Sequence, residues 1–257
     1  MKKVINWKLY FILLAACFVC TLLVMPYTLA LAPSLLDTLP LGLFVATQTA
    51  QTTLLFAVLI FIGLALAKRT GFGLPVLDGW LKGEKASQLL RPLIKPSVLT
   101  GLAGGFAIII LSLPFADLTR ELLGAETKVA VWKGFFASFY GGIVEEVLSR
   151  LFLVTLFAWV AFKIAKTKEG KPTSAGIWVA IVISSVLFGL GHLGITGELT
   201  ALTLEVVVRA ILLNGVVAVA YGRLYWKKGF ESAVIAHFTT DIVIHVITPS
   251  VATLLIK

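Results

Sequence analysis

The sequence predicts an all-α, polytopic transmembrane bundle of about seven spans. Three observations predict it. Hydrophobic residues fill 59% of the 257 positions and charged residues only 14%, against ~45–50% and ~25% in a soluble domain. Apolar runs recur that approach the ~20 residues needed to cross a bilayer. Lysines and arginines gather in alternate connections between those runs. The mean hydropathy of +1.00 agrees, and no stretch of about 50 residues is polar enough to fold as a separate domain.

The spans fall at 8–31, 46–67, 97–115, 131–163, 175–193, 200–223 and 230–248. The first follows Met-Lys-Lys like a signal peptide. Its apolar core exceeds the usual ~7–15 residues and no clear small-residue cleavage site follows Pro26, so it is expected to stay as a helix. The N-terminus carries Lys2, Lys3 and Lys8, and the 68–96 connection carries Lys68, Arg69, Lys82, Lys85, Arg91 and Lys95. Lys163, Lys166, Lys168 and Lys171 precede the fifth span, and Arg223, Lys227 and Lys228 precede the seventh. The other side has only Arg120, Lys128, Lys133 and Lys257. The positive-inside rule therefore expects a cytoplasmic N-terminus and an external C-terminus. A C-terminal reporter active only in the cytoplasm would overturn that orientation. On this reading the net charge of +9 reflects topology and contact with anionic lipid, not nucleic-acid binding. Cys17 and Cys20 form a CxxC inside the first apolar run; without a second pair or a preceding strand they are expected to be packed or lipid-facing helix residues.

The fourth span is too long. Residues 131–163 would make a helix of ~50 Å, beyond a ~30 Å core. Gly141-Gly142 is a natural place for a bend or break. Just after it comes GGIVEEVLSR, with Glu145, Glu146 and Arg150 inside an apolar segment. One charge at the bilayer centre costs ~2.5–3.5 kcal/mol on insertion scales. Adjacent glutamates point about 100° apart on a helix. Glu146 shares a face with Arg150, four residues on, and can pair with it. Glu145 has no local partner and must find hydrogen bonds on other helices, the setting of a general acid or base.

Other polar residues lie at membrane depth. His192 stands near the end of the fifth span, and His237, Asp241 and His245 repeat every fourth residue in the last, forming one stripe. Such groups usually face the bundle interior. His245, near the exit, reads as structural or interfacial. Glu205 and Arg209 read as another i, i+4 structural pair, and Asn214 as an interhelical hydrogen bond. HExxH and GxSxG are absent from the sequence, which removes the common helical zinc-protease site and the serine nucleophile elbow. The glycines of GFAIII and GLGHLG suggest close helix packing.

Three motifs then stand in order: EEVLSR at 145–150, FGLGH at 188–192 and HFTTD at 237–241. Together they resemble the EExxxR, FxxxH and HxxxN/D signature of the CAAX-protease and bacteriocin-processing (Abi) membrane endopeptidases. The resemblance covers about 130–245. It divides the chain into N-terminal helices with a basic cytoplasmic loop (1–128), a CAAX-protease-like core (129–248) and a tail (249–257). It implies a membrane protein or peptide as substrate, hydrolysis by activated water without covalent intermediate or cofactor, and no nucleic-acid partner. Glu145 with His192 would hold the water, and His237 with Asp241 would stabilise the oxyanion. Glu146, Arg150 and Phe188 would support them. Some bacterial relatives are associated with self-immunity to bacteriocins. Asp241 departs from the Asn of the eukaryotic prenyl-protein proteases. An ionised carboxylate repels an oxyanion, so Asp241 contributes as the neutral acid or by orienting His237; the i, i+4 spacing favours the second. Two rival readings share these residues: a zinc protease, since Glu145, His192, His237 and Asp241 are all competent ligands, and a non-catalytic immunity protein or proton-coupled transporter.

Overall fold

The computed structural model describes residues 5–37 and 39–256, so the charges at Lys2, Lys3 and Lys257 lie outside it. It is 86% helical, with no strand among the described residues. Among the described residues seven helices are long and apolar enough to cross a membrane: α1 Trp7–Leu31, α2 Leu41–Thr70, α4 Ala86–Leu111, α6 Val131–Ile164, α7 Ser174–Gly197, α8 Leu204–Lys228 and α9 Phe230–Leu255. Two short helices lie between them, α3 Pro75–Leu81 and α5 Ala116–Glu126.

Local chemistry sets several boundaries. Asn6, Thr173 and Thr203 cap α1, α7 and α8 through their side-chain oxygens, each accepting an amide hydrogen bond that the first helical turn leaves unmade. Gly71 (φ 81°) ends α2 in the left-handed conformation that glycine adopts without a steric cost. Two spans depart most from expectation. α4 begins at Ala86, inside the basic loop, and accommodates Pro92 and Pro96. The last helix continues past 248 through the segment read as a tail, with π-helical winding over Ile242–Ile247. Pro249 lies in this helix, whose hydroxyls bond back to its own carbonyls, Thr248 to Val243 and Thr253 to Pro249.

The bundle is apolar outside as well as inside. Leu54, Ile110 and Phe11 are among many large exposed hydrophobics, a surface suited to lipid. The core joins α1, α2, α6, α7, α8 and α9 through residues such as Cys17, Ile60, Val147, Leu151, Ile181, Tyr221 and Ala233. Both cysteines are free and buried in it. Small residues bring helices together. A Cβ at Gly63 would press on the Leu151 backbone, one at Gly105 on Val243, and one at Gly189 on Ile211. Gly191 and Gly194 face open space, so only part of GLGHLG packs as expected.

α6 is not broken at Gly141-Gly142. It continues through them as a π-helix over Tyr140–Glu145 and again over Val147–Val154. π-winding is rare, appears mostly as single turns, and frequently marks functional sites. The glycines serve the neighbouring helix instead. A Cβ on Gly141 would collide with the Asp241 carboxylate, and one on Gly142 would meet Phe238 at 3.1 Å. The pair lets α9 lie against α6 where both carry their polar residues.

Candidate active site

α6, α7 and α9 bring Glu145, His192, His237 and Asp241 onto one cavity of about 580 Å³, within the ~300–1,000 Å³ range of small-molecule sites. Glu145, at the end of the first π-helical segment, is 26% exposed and faces two imidazoles. Its Oε2 is 3.7 Å from His237 Nε2 and 4.0 Å from His192 Nε2. Counted along their helices, His192 and His237 sit at different depths. Stagger between α7 and α9 closes that gap: the ring of Phe188, one turn before His192, packs edge-on against His237 with centroids 5.6 Å apart.

His192 has a defined ring state. Its Nδ1 lies 2.8 Å from the Phe188 carbonyl oxygen. A carbonyl can only accept, so Nδ1 is the donor, and in the neutral ring Nε2 offers a lone pair towards Glu145. The Phe188 ring also packs on His192, centroids 4.7 Å apart. Phe188 thus fixes this histidine from backbone and ring together.

Glu146 points the other way, into the protein. It is 0% exposed, with Oε1 2.9 Å from Arg150 Nη1. The N–H of Nη1 is poorly aligned with that oxygen, so the contact is an ion pair more than a hydrogen bond. Arg150 also donates from Nη2 to the Ala218 carbonyl at 2.9 Å. Its guanidinium lies 5.3 Å and 5.2 Å from the ring centroids of Phe188 and Tyr221, within cation–π range.

The same Glu146 oxygen takes a second partner, which the sequence did not reveal. His237 Nδ1 lies 2.7 Å from it. Asp241 Oδ1 is 3.5 Å from His237 Nε2. The carboxylate in closer contact with His237 is therefore Glu146, across the helix interface, while Asp241 on its own helix stands farther off at the other ring nitrogen. Tyr221 stacks on the imidazole at 5.0 Å, and its hydroxyl donates to Thr240, which in turn donates to the Gly101 carbonyl at 2.8 Å.

Three further residues line this cavity. His245 Nδ1 meets the Tyr27 hydroxyl at 2.9 Å and Glu126 Oε1 at 3.3 Å, tying α1, α5 and α9 together at the cavity wall. Arg209 does not pair with Glu205, which is exposed; its Nε donates to Thr119 Oγ1 at 3.3 Å. The i, i+4 spacing permitted the pair, but α5 supplies a partner on the inner face. Asn214 bonds within its own helix, to the Ala210 carbonyl, and not across helices. Among the described residues no group of three His, Cys, Asp or Glu side chains converges closely enough to hold a metal ion.

Residues 127–243 match the family of type II CAAX prenyl endopeptidases, Rce1-like. No curated protein and no solved structure matches the chain. The matched segment carries all three motifs and spans α6, α7, α8 and most of α9. The chain is a multi-pass membrane protease whose residues 127–243 match the Rce1-like type II CAAX prenyl endopeptidase family.

Proposed function

We propose that this protease hydrolyses a peptide bond of a membrane-associated protein or peptide with a water activated by Glu145 and His192. The observation that carries the reading is the placing of two acceptors, Glu145 Oε2 and His192 Nε2, 4.0 Å apart on the cavity wall. A water at ordinary hydrogen-bond distance from both would be held at an angle of roughly 90°, near the tetrahedral value. Each of its protons points to one acceptor, and its lone pairs are free to attack.

The proton account closes on this chain's own groups. The water oxygen bonds to the carbonyl carbon while its proton passes to Glu145. The C=O electrons move to oxygen, which is met by the Nε2–H of His237. With Nδ1–H held by Glu146, a donor at Nε2 means the imidazolium form. Glu146, Asp241 and Glu145 all lie close enough to balance that charge. Asp241, 3.5 Å from Nε2, then favours the charged ring through its own negative charge and leaves the Nε2–H to the oxyanion. Collapse breaks the C–N bond, and Glu145 returns its proton to the leaving amine. Such positioned acid–base catalysis contributes ~10²–10⁴-fold, and one oxyanion donor ~10²–10³-fold.

The test is mass spectrometry of membrane-proximal peptides from cells with the intact protein, without it, and with Glu145→Gln. New termini that appear only with the intact protein are expected. Their persistence with Glu145→Gln would overturn the reading. Cleavage by the purified protein is expected to survive strong chelator. Loss in chelator with recovery on added zinc would instead favour a metal-activated water.

A further inference from the structure

We infer that Arg209 is a substrate-anchoring residue that receives a carboxylate of the peptide within about five residues of the scissile bond. The inference rests on the proposed peptide hydrolysis at Glu145 and names a feature of its substrate. Arg209 lines the same cavity as Glu145, His192 and His237. Its Nε is occupied by Thr119. Among the described residues its two terminal nitrogens have no hydrogen bond or salt bridge, and neither is fully buried. The acid whose field reaches it, Glu126, is already engaged by Tyr27 and His245. Glu205, one turn back, is exposed. A guanidinium that is half-buried in an apolar protein and carries free planar donors is suited to a carboxylate.

The rest of α8 supplies the distance. Ala210, Leu213 and Val217 give the cavity an apolar wall between Arg209 and Tyr221, and Tyr221 stacks on His237. Twelve residues of helix cover ~18 Å. His192 is nearer than that, because Gly189 on α7 packs against Ala210 and Ile211 on α8. An extended peptide covers ~3.3–3.6 Å per residue, so ~18 Å bounds the spacing at about five residues. An apolar peptide with one carboxylate beyond its cleaved bond matches a wall of this kind with a cation at one end.

The full chain carrying Glu145→Gln, in nanodiscs of neutral phosphatidylcholine, allows binding to be read without cleavage. The probes are N-acetyl-tetraleucine as free acid, the same peptide as amide, and N-acetyl-Leu-Leu-Glu-Leu-amide. The free acid is expected to bind at least about tenfold tighter than the amide. Arg209→Gln should erase that preference by weakening the acid and leaving the amide unchanged, and Arg209→Lys should keep part of it. Tight binding of the glutamate peptide would extend the site from a terminal to a side-chain carboxylate. Equal binding of acid and amide overturns the inference, as does a preference that survives Arg209→Gln. So does a preference abolished by adding phosphatidylglycerol, which would assign the guanidinium to a lipid phosphate. If Arg209→Gln fails to fold, the acid–amide comparison and the Lys variant still decide. Equal binding alongside cleavage that depends on Glu145 sinks only the anchor. A clear acid preference in a protein that still cleaves with Glu145→Gln sinks only the mechanism.

Discussion

Glu145→Gln is expected to lower proteolysis by ~10²–10⁴-fold, the contribution of a positioned base, while the protein still accumulates in the membrane. The structure separates the two effects. The Glu145 carboxylate makes no hydrogen bond; two imidazole nitrogens face it at 3.7 Å and 4.0 Å. The amide has the same shape and leaves no buried charge without a partner. In the proposed mechanism it only removes the group that takes the water's proton. Thermal unfolding in one membrane preparation, together with a cleavage assay, checks both halves. A Glu145→Gln protein that unfolds would reverse the assignment of base and support.

Glu146→Gln is expected to do the opposite, lowering stability first. Its carboxylate is the counterion of Arg150, which is only 1% exposed. It is also the acceptor for His237 Nδ1. Breaking a buried pair from one side costs ~3–5 kcal/mol, a large share of a typical ~5–15 kcal/mol. Abundance and heat resistance should both fall. Arg150→Met added to Glu146→Gln should restore part of the stability, because it removes the orphan charge and leaves an apolar chain between Phe188 and Tyr221. Activity should not return with it, since His237 still lacks the carboxylate that sets its orientation. Full recovery of cleavage in the double mutant would show that His237 needs no such partner. A Glu146→Gln protein as stable as the parent would show that Arg150 finds its balance elsewhere.

The seven spans were legible because bilayer thickness fixes a length and an apolar composition, and both are local properties. The division between Glu145 and Glu146 was legible because helical geometry alone sends adjacent side chains apart. What could not be read were relations between helices. The hydrogen bond from His237 to Glu146 joins residues 91 apart, and its existence depends on the stagger of α9 against α6. Asp241 looked like the orienting partner because it is four residues away, yet the shorter contact comes from another helix. Arg209 was misread for the same reason: spacing offered Glu205, and packing supplied Thr119. The two glycines at 141 and 142 were visible as a weak point in a long helix. Their use, admitting the Asp241 carboxylate and Phe238, depends on a surface that no local rule reaches. Nor does apolar periodicity distinguish π-winding from α-winding over so short a run.

The ion pair of α6 has a consequence for how the chain is made. Spans leave the ribosome and enter lipid in chain order, so α6 meets the bilayer before α8 and α9 exist. At that moment the Ala218 carbonyl, the Tyr221 ring and His237, later neighbours of this pair, have not been synthesised. Two separate charges would each face an insertion cost of ~2.5–3.5 kcal/mol. Because Glu146 and Arg150 lie four residues apart on one helix, the segment can cross as a nearly neutral unit and wait for its partners. Glu145 has no such companion and gains its histidines only when α7 and α9 arrive. Glu146 and Arg150 are therefore paired on α6 itself, whereas Glu145 gains its neighbours only from later helices.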